Sequence, residues 1–185
     1  GADAMVVEGM EAGGHIGKQT TMALMENVLP VVTKIPVLVA GGISDGRAIA
    51  AALLMGADGV QMGSRFLMST ECPAHQAAKD AIKAATDTDS ATTGYSRNLG
   101  VRCLANEFTK AYTEKEISGA PNSVLMEMGT GTNRLALVDG DIVNCTGMVG
   151  QSLNVLNDVL PCKDIMERLI LEAKAAIERV KSIEF

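Results

Sequence analysis

Two glycine-bearing turns in the first third of the chain could bind a phosphate group. Gly41 and Gly42 follow one short apolar run, and Gly63 and Ser64 follow the next. Glycines let backbone N–H groups approach phosphate oxygens, and the loops after the last two strands of a parallel barrel commonly bind phosphate in this way. The alternative is that these glycines only permit tight turns after buried strands. Spacing alone leaves both interpretations open.

His15 is the second candidate for chemistry. It lies among four glycines in a polar loop that follows the first apolar run. Imidazole can hydrogen-bond a substrate carbonyl or move a proton near neutral pH, so this position predicts a catalytic histidine. The alternative is a loop histidine that satisfies a backbone carbonyl. Two glutamates of the same segment, Glu8 and Glu11, either bind a ligand or are solvated, and spacing does not decide between these.

Three strand-and-helix units would position these groups. Apolar runs that begin at Met5, Ile35 and Gly59 each end at a glycine and are followed by a helical pattern. We expect Asp45 to cap the second helix and Gly56 to end it. The expected inward faces are Met22, Met25, Val28 and Leu29 in the first helix, Ile49, Ala52 and Leu53 in the second, and Ala78, Ala81 and Ile82 in a third helix over 73–85. Apolar strands that alternate with amphipathic helices predict a parallel sheet covered by helices.

The second half of the chain has a different character. Residues 86–162 are rich in Gly, Thr, Asn and Asp, with short helical patterns over 101–112, 121–128 and 132–138. An amphipathic helix is predicted from Lys163 to Phe185. We therefore divide the chain into a barrel part, 1–85, and a helical extension, 86–185, that packs on it.

Composition excludes several other functions. A net charge of −6 with 3% aromatic residues argues against nucleic acid as a partner. The four cysteines lack a C-x-x-C pair and the two histidines are distant from them, so neither a metal site nor a disulfide framework is predicted. No apolar stretch approaches the ~20 residues that span a bilayer. We expect a soluble protein of the cytoplasm with no membrane partner.

The chain resembles the FMN-dependent enoyl-acyl-carrier-protein reductase and nitronate monooxygenase (2-nitropropane dioxygenase) family. The resemblance is carried by EGMEAGGHIGKQTTM, PVLVAGGISDG and GADGVQMGSRF, and it continues through VRCLANEFTKAY, LVDGD and VGQ. It implies an α/β fold: the C-terminal part of a (β/α)8 TIM barrel, with its last three βα units and a mainly helical extension. The first five strands of such a barrel are missing from the sequence, which opens at Gly1 as if at the edge of a strand.

The resemblance also implies roles for single residues. The positions that match the FMN-phosphate site are Gly41, Gly42, Gly63 and Ser64, with Gln61 alongside. The positions that match flavin-proximal residues are Glu8, Gly13 and Gly14. His15 matches the catalytic histidine of the family. Ser64 stands where the family often has Thr, and Leu99-Gly100 stands where many reductases have a histidine, which puts contacts to substrate or nicotinamide in doubt there.

The implied activity has two forms. In the reductases, FMN reduced by NADH or NADPH delivers hydride to the β-carbon of an enoyl thioester, and His15 would position or polarise that thioester. In the monooxygenases, flavin and oxygen oxidise a nitronate. We prefer the reductase, because GKQTTM after His15 is closer to that branch. The expected partners are a small-molecule or acyl-carrier-protein-bound substrate and, in the complete enzyme, a second copy in a homodimer.

A third hypothesis belongs to another class. A complete barrel usually needs ~250 residues, and three strands cannot close one. The open sheet edges would seek another chain. On this view the 185-residue polypeptide is an inactive association or binding piece that holds FMN weakly or not at all.

Overall fold

A three-stranded parallel sheet forms the first half of the molecule, in the computed structural model that describes residues 1–184. Its strands are β1 (Met5–Glu8), β3 (Val37–Ala40) and β4 (Gly59–Gln61), in the order β1-β3-β4. A two-residue strand, β2 (Gly14–His15), lies in the loop after β1 and belongs to a second sheet. The predicted parallel sheet is confirmed.

The register of the sheet separates its two faces. Val7, Val39 and Val60 are aligned and pack with the helices, and Val7 and Val39 are buried. The alternate positions form two rows on the opposite face, because successive side chains of a strand point to opposite sides. These rows are Val6, Leu38 and Gly59, and then Glu8, Ala40 and Gln61 at the carboxyl ends of the strands.

The outer edges of this sheet are open. Within residues 1–184, β1 and β4 each pair with β3 alone. Val6, on the face away from the helices, is 46% exposed although it is apolar. A barrel would cover this face with the side chains of its other strands, so the sheet has the geometry of a barrel segment and not of a closed barrel.

Two helices cover the other face of the sheet. These are α1 (Thr21–Val28) and α2 (Gly46–Leu54). The Asp45 carboxylate accepts a hydrogen bond from Ala48 N at 2.9 Å, and Gly56 follows α2 with φ +103°, as the sequence predicts. One predicted inward residue is wrong: Met22 is 55% exposed, whereas Met25 of the same helix is buried.

Helix α2 also turns a different face inward from the one predicted. Leu53 was expected on the inward face but is exposed, whereas Ala50 and Ala52 are buried. The physical reason is the close approach of the chain's last helix, which occupies the side of α2 that carries Ala50. Small residues there let the two helices approach closely.

The third unit contains two helices instead of one. α3 (Ser64–Leu67) is a single turn directly after β4, and α4 (Gln76–Ala84) begins later than predicted. His75 caps α4, because its Nδ1 accepts a hydrogen bond from Ala77 N at 3.1 Å. Ala78 and Ile82 of α4 are buried, as expected.

A small antiparallel sheet corrects the prediction for residues 101–112. Strands β5 (Ser90–Thr93) and β6 (Val101–Leu104) form a hairpin, and β6 also pairs with β2. The predicted helix begins only at Glu107, as α5 (Glu107–Ile117), because Asn106 and Thr109 form a reciprocal capping box at its start. Strand β6 was predicted as helix because its pairing with β2, in the distant loop after β1, leaves no pattern in the local sequence.

The remaining helices follow the sequence closely. They are α6 (Asn122–Gly129), α7 (Thr132–Leu137) and α8 (Cys162–Lys181). The last helix was predicted to run to 185; it ends at Lys181, and position 185 lies outside the described residues. Ile165, Leu169 and Ala173 of α8 are buried. A Cβ on Gly46 would lie 2.5 Å from Ala173 N, so α8 contacts the backbone of α2 directly.

Candidate functional site

A cavity of about 280 Å³ lies at the carboxyl ends of the three parallel strands. It is lined by seven of the nine predicted site residues: Glu8, Gly13, Gly41, Gly42, Gln61, Gly63 and Ser64. The other two, Gly14 and His15, are not among its lining residues. One face of a parallel sheet thus brings together the two glycine turns and the loop after β1, since all three follow carboxyl ends of neighbouring strands.

The first glycine turn has a backbone that only glycine adopts without strain. Gly41 has φ +96° and Gly42 has φ +73°. A Cβ on Gly41 would lie 2.7 Å from the carbonyl oxygen of Gly9, so the turn also packs directly on the loop after β1. In the described part of the chain, the N–H of Gly42 donates to no other protein group and is available to an anion.

The second glycine turn starts a helix at the cavity. Gly63 precedes α3, and among residues 1–184 the N–H groups of Gly63 and Ser64 have no protein acceptor. A Cβ on Gly63 would meet nothing within 4 Å, so the backbone borders open space there. Unpaired N–H groups at this point attract negative charge.

The Ser64 hydroxyl is oriented by the protein. Its Oγ accepts a hydrogen bond from the N–H of Gly150 at 2.8 Å. A hydroxyl carries one proton and two acceptor lone pairs, so the proton of Ser64 stays free to donate in another direction. Ser64 and Gly150 both line the cavity.

The inner row of the sheet supplies the cavity wall. Glu8, Ala40 and Gln61 are partners across the three strands and line the cavity together. Partial burial raises the pKa of the Glu8 carboxyl above its ordinary value. The Glu8 carboxyl and the Gln61 amide stand on either side of the small Ala40. This arrangement suits hydrogen bonding to the edge of a planar ligand ring that carries polar atoms.

A short segment from the second half of the chain contacts all three loops of the site. We call residues 149–152 the clamp segment. Besides the Gly150–Ser64 bond, Gln151 N donates to Glu11 O at 2.8 Å and Ser152 Oγ donates to Gly42 O at 2.6 Å. No role for Gly150 or Ser152 follows from the sequence. The motif VGQ belongs to the family resemblance, but no local pattern shows which residues it contacts.

Gly13 is required by the same segment. A Cβ at Gly13 would lie 2.5 Å from the carbonyl carbon of Val149 and 2.7 Å from Gly150 N. The loop after β1 and the clamp segment therefore pack backbone against backbone at the cavity.

His15 lies on the small antiparallel sheet and is not among the residues that line the cavity. Its strand pairs with β6, where His15 is aligned with Val101, and the side chain is exposed. The neighbouring loop is held by Arg102, whose Nε donates to Met10 O at 3.1 Å and whose Nη1 donates to Ser90 Oγ at 3.0 Å. Burial lowers the pKa of this guanidinium. Arg102 was not anticipated from the sequence.

Glu11 has a structural partner. Its Oε2 accepts hydrogen bonds from the N–H and the hydroxyl of Thr21, each at 2.8 Å. Thr21 is the first residue of α1, so Glu11 stabilises the start of that helix. The sequence left ligand binding and solvation open for Glu11. The structure shows a third role, because the carboxylate binds the first residue of α1.

The donor set fits a phosphorylated ligand such as FMN. Its polar groups at the two turns are N–H groups and one hydroxyl, which are hydrogen-bond donors for an anion. Among residues 1–184 no group of three or more His, Cys, Asp or Glu side chains could hold a metal ion. No helix in the described chain has the length and apolarity needed to cross a membrane.

The sequence matches the family model described as nitronate monooxygenase over residues 1–172. Similar proteins include a hydroxy-methyl-oxo-octahydroindene-carboxyl-CoA dehydrogenase of Mycobacterium tuberculosis, 31% identical over 99% of this chain and 62% of its own length. A probable nitronate monooxygenase of Staphylococcus aureus is 33% identical over 92% of this chain and 50% of its own length.

The fold matches a solved structure closely. The structure of FabK from Thermotoga maritima has 40% identity and a TM-score of 0.92, over 98% of this chain and 57% of the FabK chain. This chain therefore spans about half the length of the relatives it matches. Its three strand-and-helix units are the C-terminal part of a TIM barrel.

Proposed function

Because the chain belongs to the nitronate monooxygenase family, a family of flavin enzymes, we propose that it forms the FMN-phosphate part of an oxidoreductase for 2-enoyl thioesters. The observation that carries the proposal is the convergence of Gly42, Gly63 and Ser64 on one cavity, with donors that no acceptor within residues 1–184 uses. Four donors from two turns, three N–H groups and one hydroxyl, match a phosphate monoester better than a neutral ligand.

Each predicted residue has a place in this proposal. The two glycine turns and the Ser64 hydroxyl would hold the FMN phosphate. Glu8 and Gln61 would contact the flavin from the strand ends, with Gly13 and Gly14 nearby. When bound, FMN supplies the hydride transfer, and the protein contributes binding and orientation.

His15 is proposed as the catalytic residue. Its exposed imidazole, held on the β2 strand by pairing with β6, could hydrogen-bond the carbonyl oxygen of a thioester. That contact would fix the enoyl group against the flavin and exclude water from one side of it. The nicotinamide co-substrate, NADH or NADPH, belongs to the same proposal.

The name of one relative favours a thioester substrate, because the mycobacterial relative is named for a carboxyl-CoA, which is a thioester. The segment GKQTTM after His15, which resembles the reductase branch, supports the same choice. The competing proposal is oxidation of a nitronate with oxygen, which the family model and the staphylococcal relative favour.

One pair of assays separates the two activities. The complete enzyme, loaded with flavin, is given a crotonyl thioester with NADH or NADPH, and separately a nitronate with oxygen. We expect thioester reduction. Nitronate oxidation without thioester reduction would replace our choice with the monooxygenase.

The partial coverage of the relatives adds a proposal about assembly. Val6, Leu38 and the open edges of β1 and β4 would contact the other strands of a barrel, and the complete enzyme would be a homodimer. We expect the 185-residue chain by itself to hold FMN weakly and to self-associate. Size-exclusion chromatography with flavin absorbance tests this, and a monomer with stoichiometric FMN would disprove it.

A further inference from the structure

We infer that Asp158 and Glu172 are positioning residues that hold the two phosphate-binding turns in one fixed relation through helix α8. The inference rests on the proposed FMN-phosphate site. Neither carboxylate lines the cavity, so each would act through another residue.

The second glycine turn is tied to Asp158 by a buried arginine. Arg65, which directly follows Ser64, is 1% exposed. Its Nη1 donates to Asp158 Oδ1 at 2.8 Å, and its Nη2 donates to Asp158 O at 2.9 Å. Within residues 1–184, the one further acceptor for Arg65 is Met68 O at 3.3 Å, and its Nε atom has no partner. Asp158 is therefore the one carboxylate that compensates this buried charge in the described chain.

The ion pair continues into α8. Arg168 donates from Nη1 to Asp158 Oδ2 at 2.6 Å and from Nη2 to Oδ1 at 3.2 Å. The two hydrogen bonds form a bidentate contact, which restricts orientation as well as distance. Asp158 thus accepts from one arginine of the cavity turn and one arginine of the C-terminal helix.

The first glycine turn is tied to the same helix. Glu172 Oε2 accepts a hydrogen bond from Gly46 N at 2.8 Å, and its Oε1 lies 3.8 Å from Arg168 Nε. Gly46 begins α2, four positions after Gly42. Gly46 also contacts α8 directly, since a Cβ there would lie 2.4 Å from Glu172 Cβ.

These contacts form one connected path from turn to turn. It runs from Arg65 through Asp158, Arg168 and Glu172 to Gly46, with alternating positive and negative side chains before the last backbone donor. Phosphate binding by two separate turns requires that both sets of N–H groups stay at a fixed separation. A path anchored on a 20-residue helix supplies that rigidity.

Amide hydrogen exchange tests the path without any flavin. Asp158→Ala removes the carboxylate shared by Arg65 and Arg168, so of the two turns it directly affects only the one after β4. Glu172→Ala removes the acceptor of Gly46 N and a partner of Arg168, so it directly affects only the turn after β3. The protected amides at the two turns are Gly46 N–H, bonded to Glu172, and the N–H groups of Phe66 and Leu67, both bonded to Gly63 O. We expect Asp158→Ala to accelerate exchange at Gly46 as well as at Phe66 and Leu67, and Glu172→Ala to accelerate exchange at Phe66 and Leu67 as well as at Gly46. The control is Glu178→Ala, which breaks an exposed pair with Lys181 at the far end of α8. Changes confined to the turn that each variant contacts would overturn the inference.

Flavin titration adds a readout specific to the phosphate. We expect each variant to lose about tenfold in FMN affinity, a coupling within the range found in such networks, with riboflavin affinity unchanged. Equal loss for both flavins, or none, counts against positioning of the phosphate turns. If the unmodified chain does not prefer FMN to riboflavin, the proposed phosphate site is wrong. The hydrogen-exchange experiment then tests by itself whether the contacts through α8 couple the two turns. If Asp158→Ala does not fold, Glu172→Ala at a half-exposed position carries both measurements.

Discussion

Ser64 and Gly150 are joined by a hydrogen bond of 2.8 Å between residues 86 positions apart in sequence. The bond uses an acceptor lone pair of the hydroxyl and leaves its proton free. It also connects the turn after β4 with the clamp segment, whose other contacts reach Glu11 and Gly42. The second half of the chain thus takes part in the site that the first half begins.

Replacing Gly63 by alanine should weaken FMN binding without loss of stability. The Cβ would enter open space at the cavity and Gly63 has no positive φ, so the fold tolerates it while the phosphate does not. Flavin titration and thermal unfolding measure the two effects. Gly129→Ala is the matched control, because its Cβ also meets nothing within 4 Å but lies away from the cavity. Equal affinities for the two variants would contradict the assigned role.

Replacing Gly41 by alanine should destabilise the protein as well as the site. A Cβ at φ +96° is strained by about 1 kcal/mol or more, and here it would also contact Gly9 O at 2.7 Å. Gly56→Ala, at φ +103° with open space around it, isolates the strain from the contact. Denaturant unfolding should show a larger loss for Gly41→Ala than for Gly56→Ala.

Replacing Ser64 by alanine should lower affinity for FMN more than for riboflavin. The variant loses a donor to the phosphate and leaves the N–H of Gly150 without its acceptor, at a cost of about 1 kcal/mol. Fluorescence titration with both flavins measures the difference. Ser118→Ala, which removes an exposed hydroxyl bonded to Lys115 O, should change neither affinity. An unchanged ratio between the flavins would exclude the phosphate contact.

Replacing His15 by glutamine should reduce turnover while flavin binding is retained. The side chain is exposed and does not line the cavity, so flavin binding should be retained. A glutamine amide can donate a hydrogen bond but cannot transfer a proton near neutral pH, and loss of a general acid or base typically costs about 10²–10⁴ in rate. Steady-state assays on a flavin-loaded preparation measure it. His75→Gln is the control and should leave turnover unchanged, since His75 caps α4 and does not line the cavity. Full activity in His15→Gln would remove this residue from the mechanism.

Acid should weaken the attachment of α8. Hydrogen bonds from Arg168 and Arg65 hold the pKa of Asp158 below its ordinary value. A lowered folded-state pKa contributes stability above the unfolded value of ~3.9, and that contribution is lost as pH falls through the folded-state pKa. Unfolding experiments on the protein and on Asp158→Asn should show a stability difference that shrinks as the pH falls below ~4. A constant difference would contradict this assignment.

The local patterns were strong enough to predict the parallel sheet. Continuous apolar runs such as Val37–Ala40, each ended by glycine, can be buried only between helices and other strands. Asp45 begins α2 and Gly56 follows its end, as a capping carboxylate and a glycine with positive φ predict. Of the nine site residues that the glycine turns and the family resemblance named, seven line one cavity, because parallel strands present their carboxyl ends at one edge. Helices α6 and α7 followed from propensity and spacing in the same way.

Tertiary structure alone decided how the second half meets the first. Nothing local in Val101–Leu104 signals pairing with the His15 loop, and nothing near Gly150 or Asp158 signals contact with residues about 90 positions earlier. Such contacts depend on how α8 packs against α2, a relation between distant surfaces that sequence periodicity does not encode. Periodicity records which face of an element is buried, whereas the partner that buries it is chosen only when the elements pack together.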